Sequence, residues 1–240
     1  MSEVKVDKIS PRSGTAFTLG DSGDTFTIPS GATIANSGTA TGFSTPSGLA
    51  SVQTFTSSGT WTRPSDITKV IMEVQGGGSS GSDGNASSTR DTGGGAGGYA
   101  KKFLDVSSIS TSTITVGAGG AAATTNPSNA GGASSWADGT NTITGNGGGA
   151  AGSADYVGGL GGTASGGDIN IKGGDGPDNR AGLAPGSMLG AGGAKGNRET
   201  GNANTGSDAP TGYGSASVGL YGNGTTRAGG GGIVIVWEYK

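Results

Sequence analysis

Apolar residues downstream of residue 50 are concentrated in short runs that are separated by polar and glycine-rich stretches. The run ITKVIMEVQ, residues 67–75, predicts a β-strand that ends at a glycine triplet. The closing run IVIVW, residues 233–237, is the most hydrophobic in the chain, and we expect it to pair with residues 67–74. Two further strands are predicted at 97–107 and 112–120.

Shorter alternating runs lie upstream, in GTAFTLGDSGDTFTIPSGATI at residues 14–34. Thr and Ser alternate there with Phe17, Leu19, Phe26, Ile28 and Ile34, which predicts strands of about four residues separated by turns. Strands this short and few need partner chains or a template strand. We therefore predict N-terminal fibre-like strands over 1–36, a small polar linker over 37–51 and a C-terminal domain over 52–240.

The C-terminal domain is defined by glycine: residues 76–240 hold 47 of the 55 glycines. Each glycine costs a helix about 1 kcal/mol relative to alanine, so no significant helix is expected. Polyproline-II-type helices have three residues per turn and no internal hydrogen bonds, and only glycine lets several of them pack closely side by side. Every third residue from Asn146 to Gly182 gives 13 positions, of which 8 are glycine.

The fold class predicted is therefore all-β, with short N-terminal strands followed by a glycine-rich β-sandwich that contains polyglycine-II-type segments and long loops. Two architectures stay open for this region. One is a sandwich of polyglycine helices, and the other is a β-sandwich with long glycine loops.

Composition removes several kinds of chemistry. The chain has no cysteine and no histidine, which excludes disulfides, thiolate zinc sites and imidazole bases. A net charge of -3 and a sequence pI near 4.8 argue against nucleic-acid binding. No apolar run is long enough to span a bilayer, and the N-terminus lacks the apolar region of a secretory signal. We expect no nucleic acid, no membrane insertion and no cofactor.

The motifs that resemble nucleotide, metal or catalytic sites each lack a feature that such a site needs. Residues 117–122 fit the dinucleotide pattern G-x-G-x-x-A, but no helix can begin in the sequence that follows. Residues 190–195 resemble a phosphate-binding loop until Gly196, where Ser or Thr is required. The turn aspartates lack calcium-loop spacing, and nothing singles out a carboxylate pair for glycoside cleavage. We expect no catalytic residue, no metal site and no enzyme activity.

The rare aromatic residues divide into two groups. Trp61, Trp136 and Trp237 lie in or beside strands and are predicted to fill the core. Tyr156, Tyr213 and Tyr221 lie in glycine-rich loops, where a tyrosine provides contact area and a hydroxyl at a small entropy cost. Ligand contact and packing between layers are both open for these tyrosines.

With these residues in view, residues 52–240 resemble the glycine-rich domain of tail fibre and adhesin proteins of tailed phages. The resemblance rests on FTSSGTWTRPSDITKVIMEVQGGGSSG, GGGAGGYAKKFLDVSS with STITVGAGG, GGASSWADG, and the closing AGGGGIVIVWEY. Residues 4–43 are similar to fibre-like stretches in structural proteins of marine, cyanophage-type phages. The glycine motifs are shorter and more interrupted by Ala and Ser than in the tip adhesins.

The resemblance implies a virion component, commonly a homotrimer, that is assembled in the host cytoplasm. Its N-terminal part would attach to other tail proteins or form a shaft, and its glycine-rich part would bind a host polysaccharide or outer-membrane protein without cleaving it. The loops at 153–160, 177–189 and 202–222 are the expected contact surfaces. The predicted receptor-binding residues are Tyr156, Leu160, Met188, Tyr213 and Tyr221.

Three other functions stay open. A capsid decoration protein or a purely structural fibre subunit would have no receptor of its own. A depolymerase would shorten host polysaccharide. The third is an ice-binding or matrix protein built from polyglycine helices. Resemblance to small proteins of that design would imply disulfides, which this chain lacks.

Overall fold

The computed structural model separates the chain into two compact units, Met1–Thr45 and Pro46–Lys240. In the first unit the described residues form turns, with the N–H of Ala32 donating to the carbonyl of Pro29 at 3.1 Å. The apolar residues of the predicted N-terminal strands lie outside the described residues. The structure describes residues 22–25, 27, 29–33, 48–84, 92–124, 127–152, 157–178, 184–190, 212–221 and 226–240.

The second unit is built from two five-stranded antiparallel sheets, and none of the residues that the structure describes is helical. The strands are β1 Leu49–Phe55, β2 Gly59–Thr62, β3 Lys69–Gln75, β4 Asp83–Gly84, β5 Tyr99–Asp105, β6 Thr111–Thr115, β7 Ser134–Ala137, β8 Thr142–Gly145, β9 Ala164–Ser165, β10 Ile169–Ile171, β11 Leu220–Tyr221 and β12 Ile233–Tyr239. Sheet A has the strand order β1-β12-β3-β5-β10, and sheet B has the order β2-β6-β7-β8-β9. Strands β4 and β11 form a short parallel pair. The predicted all-β class is confirmed.

The last strand closes the domain as the sequence predicted. β12 pairs antiparallel with β3, from Gln75 opposite Ile233 to Lys69 opposite Tyr239. On its other side β12 pairs with β1, so the last strand lies between the first and the third. β1 begins at Leu49, three residues before the predicted start of the C-terminal domain.

The core lies between the two sheets. Every second residue of β3 faces it, and sheet B contributes Trp61 and Trp136, whose ring centroids lie 4.9 Å apart. Both tryptophans are fully buried, as predicted. Trp237 was wrongly predicted to fill the core: it is only partly buried, because alternation along β12 directs its neighbours Val236 and Glu238 inward.

Candidate binding surface on the glycine lattice

The glycine-rich segments leave the ends of the strands and bond to one another through their main chains. Segment 92–98 shows the pattern most fully. Its successive N–H groups donate hydrogen bonds in turn to three neighbouring segments, 172–177, 212–219 and 146–152. The fourth N–H returns to the first neighbour. The bonds are Gly93 to Pro177, Gly94 to Ser217, Gly95 to Gly149, Ala96 to Gly174, Gly97 to Gly214 and Gly98 to Asn146, at 2.8 to 3.2 Å.

A rotation that repeats every three residues is that of a polyproline-II-type helix, which makes its hydrogen bonds to neighbours rather than within itself. The same spacing joins 226–232 to 117–123, and 146–152 to 157–163, each pair running antiparallel. We call this array the glycine lattice. Its segments are 76–82, 92–98, 117–123, 128–132, 146–152, 157–163, 172–177, 212–219 and 226–232.

The two architectures left open by the sequence are therefore combined, since a β-sandwich continues at the ends of its strands into polyglycine-type helices. The three-residue register predicted from 146 to 182 is not continuous, because β9 and β10 lie within it. The periodicity belongs to separate short segments.

Close approach explains why the lattice needs glycine. A Cβ placed on Gly148 would overlap the carbonyl oxygen of Gly95, and one on Gly161 would overlap that of Gly173. Such overlaps recur at many glycines of the lattice, and each of those positions excludes a side chain.

Segment 157–163, VGGLGGT, shows what this packing does to the remaining side chains. Its glycine pairs are buried, whereas Val157, Leu160 and Thr163 are exposed, Leu160 by 64%. With a rise of about 3.1 Å per residue, neighbouring exposed side chains follow one another at about 9 Å. This segment therefore presents a row of side chains at every third position.

The next segment holds this row in place with carboxylates. Asp175 accepts a hydrogen bond from the N–H of Gly161 at 2.6 Å, and Asp178 accepts one from the N–H of Gly158 at 2.8 Å. Lys172 pairs with Asp175 at 2.5 Å, and its ammonium lowers the pKa of that carboxyl, with help from the Gly161 N–H. The two carboxylates thus accept hydrogen bonds that main-chain carbonyls accept elsewhere in the lattice.

A second exposed site lies around the tight turn Ser187–Gly190. Ser187 donates from its main chain to the carbonyl of Gly190 at 3.1 Å, and its hydroxyl donates to the carbonyl of Tyr213. The turn thus fixes Met188, which is 60% exposed, beside the segment that carries Tyr213, which is 41% exposed. Both apolar side chains face solvent from a main chain that is hydrogen-bonded on either side.

Gln75 anchors this turn to the sandwich. Its side-chain Nε2 donates to the carbonyls of Gly97 at 2.8 Å and Gly98 at 3.1 Å, and its Oε1 accepts from the N–H of Leu189 at 3.4 Å. The buried amide, at the last residue of β3, joins the sheet, the lattice and the turn. No sequence pattern indicated this role.

The predicted contact residues thus have different outcomes. Leu160, Met188 and Tyr213 are exposed, and the exposure of Tyr213 does not fit packing between layers. Tyr156 lies outside the described residues. Tyr221 pairs through its main chain with Gly84, and its side chain is outside the described part. Sequence reasoning missed Val157, which the three-residue spacing from Leu160 would have identified.

Leu160 and Tyr213 are linked through one segment. The segment of Leu160 donates to the carbonyls of Gly93 and Ala96, and the segment of Tyr213 accepts from Gly94 and Gly97. Segment 92–98 is therefore the common support of both exposed sites.

Other chemistry is sparse in the part of the chain that is described. No group of acidic residues there could hold a metal ion, and no helix there is long and apolar enough to cross a membrane.

Fold and site together define a β-sandwich that carries a polyglycine lattice with side chains displayed at its surface. The model of a protein family described as a glycine-rich domain matches residues 50–239, and the chain belongs to that family. No curated protein matches the sequence.

Proposed function

We propose that this protein is a virion component of a tailed phage, a tail fibre or fibre tip that binds a host surface receptor without catalysis. The observation that carries the proposal is the exposure of Leu160, Met188 and Tyr213 on main chain fixed by lattice hydrogen bonds. The phage assignment itself comes from the sequence resemblance described above.

A stiff lattice favours recognition for a physical reason. Contact residues that are already ordered lose little conformational entropy on binding, so more of the contact energy remains as affinity. Segment 157–163 also separates two requirements: its glycine pairs are needed for close packing, whereas a substitution at an exposed third position would leave that packing unchanged. A binding protein that must follow a changing receptor gains from that separation.

The exposed residues suit a shallow contact. Val157 and Leu160 provide aliphatic area in a row, and Met188 and Tyr213 provide a flexible apolar and an aromatic contact. Such contacts are individually weak. Homotrimeric fibres, several to a particle, would raise the total affinity through multivalency. In this proposal residues 1–36 join the protein to other tail proteins, and the receptor is a surface polysaccharide or an outer-membrane protein.

Binding of the labelled full-length chain to host cells tests the proposal. We expect the wild type to bind and to compete with phage, and the double variant Met188→Ala, Tyr213→Ala to bind at least about tenfold more weakly. Ile169→Ala, which removes a side chain of similar exposure in β10, is the control and should bind like wild type.

Three outcomes would contradict the proposal. Absence of binding to any host surface would favour a decoration or purely structural role. Wild-type binding by the double variant would remove the site assignment. Shortened polysaccharide chains after incubation with the protein would indicate a depolymerase. Protease-treated cells then distinguish a polysaccharide receptor, which survives the treatment, from a protein receptor, which does not.

A further inference from the structure

The outer face of sheet A carries several large apolar residues where a solvated face should be polar. In an antiparallel sheet with one face on a core, side chains alternate between apolar inward and polar outward positions. The inward positions of β3 are Val70, Met72 and Val74. The outward positions of the central rows nevertheless include Ile71, which lies in register with Phe103 on β5 and Trp237 on β12.

One half of this outer face is covered by the chain itself. Gln75 and Tyr99, at the lattice end of β3 and β5, are 0% and 5% exposed, and the turn Ser187–Gly190 packs against Gln75. The exposure rises along β5 to 53% at Phe103. We call the uncovered half, formed by Leu49, Val52, Ile71, Phe103, Trp237 and Tyr239, the open face.

Part of the open face forms a shallow depression. The depression, of about 300 Å³, is lined by Gly48, Lys69, Ile71, Phe103, Tyr239 and Lys240. Leu49 and Val52, on the adjacent edge strand β1, are 51% and 43% exposed. Contiguous exposed apolar surface of this kind is characteristic of a protein–protein contact.

Charges around the open face alternate in sign. Lys69 lies opposite Asp105 in the register of β3 and β5, and Lys240 forms an ion pair with Asp66. A strongly acidic or strongly basic partner would meet a like charge at two of these four positions. A second copy of this chain carries the same alternating charges around the same apolar centre, so lysines of one copy can face aspartates of the other. The small net charge of -3 adds little repulsion between copies.

We propose that the open face is the surface through which one copy of this chain packs against another. The inference deepens the self-association in the proposed function, on which it rests, by naming the residues that make the contact. Phe103, on β5, is the most exposed residue of the open face and is buried by the second copy.

The test compares the mass of the full-length chain in solution, by sedimentation equilibrium, for wild type, Phe103→Lys and Leu160→Lys. Both substitutions place a lysine at a position that is more than half exposed, on different surfaces. We expect wild type and Leu160→Lys to be oligomeric. Phe103→Lys should raise the dissociation constant at least about 30-fold, as for a large apolar side chain that becomes buried in an interface. A monomeric wild type, or an unchanged mass for Phe103→Lys, would overturn the inference.

A second measurement covers the case in which Phe103→Lys does not fold. The chain has no cysteine, so Phe103→Cys and Leu160→Cys each introduce a single thiol. A short bismaleimide should produce covalent dimers of Phe103→Cys and none of Leu160→Cys. Equal yields for the two variants, or no dimer of Phe103→Cys, would contradict the inference.

Cell binding separates this inference from the proposed function. A monomeric wild type that still binds host cells would overturn the interface alone. An oligomer that depends on Phe103 but binds no host surface would overturn the receptor-binding proposal alone.

Discussion

The indole Nε1 of Trp61 donates a hydrogen bond to Oε1 of Glu238 at 2.7 Å, across the interior of the sandwich. The same oxygen accepts from Nε2 of Gln53 at 2.7 Å, and the other carboxyl oxygen accepts from the hydroxyl of Ser51. Glu238 is fully buried, and its partners come from β1 and β2. A buried carboxyl group is tolerated when donors satisfy it, and here those donors bind the last strand to the first two.

Removal of the indole donor therefore destabilises the fold. We expect Trp61→Phe to lower the free energy of unfolding by about 2–4 kcal/mol, from the lost bond to a carboxyl and the smaller ring. Urea unfolding measures the change. Trp237→Phe is the matched control, because no described residue bonds the Nε1 of Trp237. It should cost less than about half as much, and an equal loss for both variants would refute the role given to Glu238.

Glycine positions in the lattice should differ sharply in their tolerance of alanine. Gly148→Ala places a methyl group against the carbonyl of Gly95, and we expect it to cost about 3 kcal/mol or more. Gly231→Ala, also in the lattice, meets its first atom only at 4.0 Å and should change stability by less than about 1 kcal/mol. Thermal and urea unfolding of both variants give the comparison. Similar stability of the two would mean that the lattice is not closely packed.

Acid should weaken the domain through its surface carboxylates. The Lys172 ammonium and the Gly161 N–H lower the pKa of Asp175 below 3.8, and the N–H of Phe103 lowers that of Asp168 against a smaller opposing effect of burial. A carboxyl whose pKa is lower in the folded state adds stability that is present above about pH 4 and is lost as the pH falls through the lowered value. Urea unfolding from pH 6 to about pH 2.5 should show that loss.

The double variant Asp168→Asn, Asp175→Asn tests the source of this acid sensitivity. It removes two of the carboxyls that titrate, so its free energy of unfolding should change less between pH 4 and about pH 2.5 than that of the wild type. If the free energy of unfolding of the wild type rises as the pH falls from 4 to about 2.5, the assignment is contradicted.

The sequence predicted those features that side chains encode. The apolar runs at 67–75 and 233–237 identified β3 and β12 and their pairing, and the excess of glycine predicted helices with three residues per turn. It did not predict which segments are neighbours, because glycine has no side chain to specify a partner. The lattice contacts are set by main-chain hydrogen bonds between segments far apart in sequence, such as Gly94 with Ser217.

The exposed site was predicted in part for a related reason. Leu160, Met188 and Tyr213 are large side chains in glycine-rich stretches, so they can be recognised in the sequence. Val157 was missed because the register that exposes it is local to 157–163, and Gln75 because its role depends on where Leu189 lies in the folded chain.

Amide hydrogen exchange tests the central claim, that the glycine segments form an ordered, closely packed array held by main-chain hydrogen bonds. The N–H groups of Gly97, Gly98 and Gly162 bond at 2.9, 2.8 and 2.8 Å to Gly214, Asn146 and Ala96. We expect their protection factors to lie within about tenfold of those of β3, because the lattice and the sandwich would open together. Exchange of these glycine amides within seconds, while β3 remains protected, would contradict the account.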